Sequence, residues 1–98
     1  MSQSIEEYIF YFKLAYTERT VYYRFTSNTS LKNFIETVKR FVQTDFDLET
    51  NQEIEIVEAG QENGEEAPAL VSSNETLKQI YHNKHTNTSF YVRLSQSH

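Results

Sequence analysis

Ninety-eight residues make one domain with room for a single small core. The formal net charge of -5 disfavours a general nucleic-acid binder, which needs a basic field. With no cysteine there is no disulfide, thiol nucleophile, thioester chemistry or cysteine-ligated zinc.

The start, Met1 to Glu7, is polar and acidic, and a short mobile segment is expected there. It does not resemble a signal peptide, and no apolar run approaches the ~18 residues of a membrane span, so a cytoplasmic or nuclear address is the expectation. Tyr8 to Leu14 is rich in β-formers; Phe10, Phe12 and Leu14 alternate as one face, and choosing that face as the core leaves Lys13 in water. Ala15 to Arg19 reads as a hairpin loop longer than two residues, because it has no glycine for a tight turn. Thr20 to Phe25 alternates again, with Val21, Tyr23 and Phe25 inward and Tyr22 and Arg24 outward.

Ser30 to Gln43 is the one long helical period. Leu31, Phe34, Ile35, Val38, Phe41 and Val42 fall on one face, with Asn28, Thr29 and Ser30 offering N-cap side-chain oxygens to accept from the first helical N–H groups. Thr44 to Gln52 reads as a loop whose Phe46 and Leu48 tuck against the helix end. Glu53 to Val57 is a third strand with Ile54 and Ile56 inward and Val57 outward by alternation. Glu58 to Pro68 is an acidic loop and Ala69 to Val71 a very short strand. Ser72 to Tyr81 reads as a short helix with capping-box spacing from Ser72 to Glu75. His82 to Thr88 is a polar loop, Ser89 to Leu94 a last strand, and Ser95 to His98 a flexible tail.

The order predicts an α+β domain over residues 8–94: a mixed sheet of four to five strands with one main helix across it, and the first and last strands paired in parallel at the centre. The expected core is Phe12, Leu14, Val21, Tyr23, Phe25, Leu31, Phe34, Val38, Ile54, Ile56, Leu77, Phe90 and Val92.

Three stretches carry a resemblance to ubiquitin-like proteins of the β-grasp fold. The spacing from Phe25 to Leu31, Phe34 and Val38 resembles the step from second strand into helix. Ile56-Val57-Glu58-Ala59-Gly60 resembles the third strand and its turn, and Thr76-Leu77 to Arg93-Leu94 spans the same length as the corresponding pieces of ubiquitin. The chain departs from ubiquitin in a longer segment from Gly60 to Glu75 and in ending RLSQSH rather than in Gly-Gly. Conjugation requires a terminal diglycine thin enough for an activating enzyme's channel. The resemblance therefore implies a noncovalent recognition module, not a conjugated modifier and not an enzyme.

By position in such a fold, Tyr16, Val57 and Tyr91, with Arg93 at the rim, would form the hydrophobic patch on the sheet; alternation independently turns each of the three outward. The alternative is a solvent-exposed set of isolated residues, or a patch covered by the long loop. A second constellation is electrostatic. Asp45 to Glu66 holds nine of the fourteen acids and no Lys or Arg, while Lys13 and Arg24 lie outward with Tyr11 and Tyr22 between them. This resembles the Phox-and-Bem-type interaction domains, which associate head-to-tail. The resemblance would pair Lys13 and Arg24 with Glu58, Glu62, Glu65 and Glu66 of another copy, although Ala59, Gly60 and Gln61 interrupt the family's acidic motif. A solvated acidic loop explains the same charges. The Tyr11/Lys13/Tyr22/Arg24 face has base-stacking groups, but too few to outweigh the net acidity.

His82 and His85 are three apart, with no third ligand nearby, so no metal is expected, and no cofactor either. No nucleophile elbow, paired-carboxylate cleft or glycine-rich phosphate loop is present. The expected partner is another protein, not a nucleic acid or a membrane, and the expected state is a monomer.

Overall fold

The structure, a computed structural model, describes residues 5–60, 62–81 and 88–95. Four strands and two helices account for most of them: β1 (Glu7–Leu14), β2 (Thr20–Thr26), α1 (Leu31–Asp45), β3 (Glu53–Glu58), α2 (Leu77–Tyr81) and β4 (Ser89–Ser95), with a 3-10 turn over Glu62–Gly64. The sheet order is β2-β1-β4-β3. The central β1–β4 pair is parallel, with Phe12 opposite Phe90 and Leu14 opposite Val92, and the two outer pairs are antiparallel. This is an α+β layout with α1 packed across one face. Among the described residues there are four strands: the expected short strand at Ala69 to Val71 is reduced to a single bridge from Ala69 to Val57.

The sheet's inner face is ring-rich because every second residue of β1, β2 and β4 turns an aromatic or aliphatic group toward α1. Phe34 stands at the centre. Its ring lies 4.8 Å from Phe25, 4.9 Å from Phe10, 5.8 Å from Phe90 and 6.0 Å from Phe12. Ile35, Val38 and Val42 continue the apolar stripe of α1, and Phe10, Phe12, Ile54, Ile56, Leu77, Phe90 and Val92 complete the buried cluster. Leu14, Val21, Tyr23 and Leu31, expected inside, are only partly buried, whereas Ile35, Val42 and Phe46 lie within the core. Edge position explains Val21 and Tyr23, since β2 has a neighbour on one side only, while Leu14 and Leu31 stand at the last residue of β1 and the first of α1.

Both ends of α1 are closed by side chains. Ser30 accepts from Asn33 N–H at 3.2 Å. At the other end the helix runs on to Asp45, beyond the expected Gln43, because Arg19 reaches across from the hairpin and donates to the Asp45 and Phe46 carbonyls at 3.1 Å each. These are the orphan acceptors a helix leaves at its C-terminus, and the same guanidinium sits 5.3 Å from the Phe46 ring. Phe46 is buried and Leu48 packs beside it.

The second helix starts later than its sequence suggests. Thr76 N–H donates to Gln79 Oε1 at 2.8 Å and Gln79 N–H to Thr76 Oγ1 at 3.2 Å, so the reciprocal capping box is Thr76–Gln79, not Ser72–Glu75. The backbone of residues 73–75 is used elsewhere: Ser73 and Glu75 carbonyls accept from Lys32 and Leu31 N–H at the start of α1.

Two phenols are held above their ordinary acidity. Burial, aided by the Glu58 carboxylate, pushes Tyr81 up to about 12. Burial, then the 2.6 Å hydrogen bond to Asp45 Oδ2 and the charge of that carboxylate, raise Tyr23. A phenol whose pKa is higher folded than unfolded stabilises the fold fully below the unfolded value near ~10, and that contribution is lost as pH rises through the folded value. Stability should therefore fall between about pH 10 and 12, and Tyr81→Phe should flatten part of that slope; urea midpoints at about pH 9 and 11 would check it.

Candidate functional site

The outer face of the sheet, away from α1, divides into two halves. Residues pointing outward form rows across the strands: Thr20, Lys13, Tyr91 and Val57 in one, Tyr22, Tyr11 and Ser89 in the next, and Arg24 with Ile9 beyond.

Over β3 and β4 the face is covered. Val57 does turn away from α1, as alternation requires, but its exposure is 0%. The end of the 3-10 turn lies on top of it. A Cβ built on Gly64 would come within 2.7 Å of Val57 Cγ2 and 3.1 Å of Tyr91 Cβ, and Gly64 has φ +71, so glycine is required by contact and by conformation. Arg93 ties this cover down. Its Nε donates to Glu55 Oε1 at 3.0 Å, and its Nη1 to the carbonyls of Ala67 (2.6 Å), Gly64 (2.7 Å) and Glu65 (3.3 Å). Arg93 is thus spent on the chain's own backbone rather than standing free at a rim.

Tyr16, at the hairpin tip, is 64% exposed and holds φ +66, a left-handed conformation that glycine or asparagine adopts more readily. Its phenol is raised by desolvation first and then by the charge of, and a hydrogen bond to, Glu65. The structure therefore brings Tyr16, Tyr91 and Arg93 together around the covering loop, with Val57 sealed beneath it. The cover is the open alternative of the sequence reading, and Val57 offers no surface to a partner while the loop is down.

Over β1 and β2 the face is open. Ile9, Tyr11 and Tyr22 are 38%, 44% and 61% exposed, and the two tyrosine rings lie 6.1 Å apart. Arg24, exposed, sits opposite Ile9. Lys13 lies between Thr20 and Tyr91, with Glu18 Oε1 3.9 Å away at the limit of an ion pair. A shallow depression of about 220 Å³ runs between Tyr11, Lys13 and Tyr91.

The acids of the second constellation are split. Glu62, Glu65 and Glu66 are exposed on the covering loop. Glu58 follows the parity of Ile56, on the opposite side of the sheet, and acts on Tyr81. His82 and His85 lie outside the described residues; among those described, no three metal-ligating side chains come together. No helix there is long and apolar enough to cross a membrane.

Sequence reasoning passed over Arg19 as a cap, Arg93 as a tie and Gly64 as a cover. One signal for the cover was present: in Glu53-Ile54-Glu55-Ile56-Val57 the outward positions run Glu, Glu, Val. An aliphatic residue where alternation calls for a third charge marks something lying over it.

No family model, curated protein or solved structure matches the chain.

Proposed function

We propose that this chain is a noncovalent protein-binding module of ubiquitin-like type, without enzymatic activity of its own, and that its partner docks on the open half of the outer sheet face. The observation that carries the reading is the exposed cluster of Ile9, Tyr11 and Tyr22 on adjacent strands, flanked by Lys13 and Arg24. Tyrosine and arginine are the residue types most enriched at binding hot spots. A hydrogen-bonded sheet holds them in place, so little entropy is lost on association. The flanking cations favour a partner with acidic residues around an apolar centre. The four-stranded order with a helix across one face supports the ubiquitin-like assignment.

The second reading is head-to-tail self-association, in which Lys13 and Arg24 of one copy meet the exposed Glu62, Glu65 and Glu66 of the next. Light scattering at several protein and salt concentrations separates the two. The module reading expects a monomer with little salt response; chains joined by exposed charges dissociate as salt screens them. For any partner identified, Tyr11→Ala with Tyr22→Ala should weaken binding by about 2 kcal/mol or more with the fold retained. An unchanged dissociation constant would discard the aromatic patch.

A further inference from the structure

β3 ends the sheet, and only one end of its outer edge is occupied. Leu70 N–H donates to Ile56 O at 2.8 Å, so the Ile56 carbonyl points away from β4. Backbone direction repeats every second residue of a strand, so Ile54 presents its N–H and C=O on the same outer side. The chain then turns away: Val71 is 79% exposed, and Ser73 is already bonded to the start of α1. Among the described residues nothing pairs with the outward backbone groups of Ile54.

Beside this edge runs a groove of about 510 Å³ between β3 and α1. Its floor includes Ile35, Ile54 and Leu70, and its far wall carries Lys39 and Arg40. Neither cation has an ion-pair partner among the described residues.

An unpaired strand edge next to an apolar floor accepts extended backbone. A second copy of this chain fits poorly. With the Ile56 end taken by Leu70, antiparallel self-pairing must centre on Ile54, which sets Glu53 of each strand opposite Glu55 of the other, and like charges directly opposite are destabilising. We propose instead that the groove takes an extended peptide as an added strand, antiparallel to β3 in the line that Ala69 and Leu70 begin, with aliphatic side chains on the Ile35/Ile54 floor and a carboxylate facing Lys39 and Arg40. This site is separate from the outer face and stands whether or not that face binds a partner.

The probe is a capped peptide, Val-Lys-Val-Thr-Val-Asp-Asp, with valines for the floor, a lysine over Glu53 and terminal acids for the helix wall. Titrated into the 15N-labelled protein, it should give saturable shifts centred on the Ile54 and Ile56 amides and slow hydrogen exchange at Ile54. Methylating alternate peptide nitrogens of the probe removes the ladder donors and should cost about tenfold or more in affinity. The double change Lys39→Glu with Arg40→Glu, at exposed positions, should cost about tenfold, whereas Tyr11→Ala should cost nothing. Absence of a saturable shift, shifts centred on β2, or equal binding by the methylated probe would overturn the added strand. Unchanged binding by the double variant would overturn the carboxylate contact.

Discussion

Phe34→Ala is expected to destabilise the protein by about 3–5 kcal/mol, enough to leave a small domain largely unfolded at room temperature. Phe34 is fully buried, and four other phenylalanines from β1, β2 and β4 have ring centroids within 6.0 Å of its own. Three effects add: the lost transfer energy of a large ring, the edge-to-face contacts with Phe10 and Phe25, and a cavity that a hydrogen-bonded sheet cannot close. Phe34→Leu keeps most of the volume and should cost clearly less. Phe41→Ala is the internal comparison, since Phe41 lies on the same helix but is exposed and touches chiefly Tyr23. Urea unfolding followed by circular dichroism would rank the three. Equal losses for Phe34→Ala and Phe41→Ala would mean that the core is not centred on Phe34.

The helix and the strands that build this core were legible because each carries its own period. Phe10/Phe12/Leu14, Val21/Tyr23/Phe25 and Phe90/Val92 alternate, and Leu31 to Val42 recurs at helical spacing. Parallel pairing of first and last strands followed from the need to bury both. What stayed hidden depends on groups far apart in the chain. The last two residues of α1 need Arg19, 26 residues before Asp45. The start of α2 is set by residues 73–75 bonding to α1 rather than by the nearest Ser-x-x-Glu. The candidate patch is the instructive case. Alternation assigned Val57 the right side of the sheet but says nothing about what lies on that side. Only the contact of Gly64 and the hydrogen bonds of Arg93, 29 residues from Gly64, decide that.

That cover changes the expected result of placing a charge at its centre. Val57→Asp on an exposed patch would leave the fold alone and act only on binding. Beneath Gly64 it is expected to cost about 3–4 kcal/mol of stability, because the aliphatic burial is lost and a carboxyl group is desolvated under the loop. The protein has two ways to respond. If the loop stays down, the carboxyl is held neutral by desolvation, its folded pKa rises above the unfolded ~4, and its contribution is favourable only below that pH and lost as pH rises. The penalty should then shrink as pH falls toward ~4. If the loop lifts, the carboxyl ionises freely, the penalty is nearly independent of pH, and the cost becomes that of breaking the Arg93 bonds to the Gly64, Glu65 and Ala67 carbonyls. Denaturation midpoints of Val57→Asp and Val57→Ala at about pH 4 and 7 distinguish these cases. Hydrogen exchange at residues 62–67 would report the lifting directly. A Val57→Asp variant as stable as the parent, with the loop amides still protected, would mean that Val57 is not buried and that the patch on β3 and β4 is open after all.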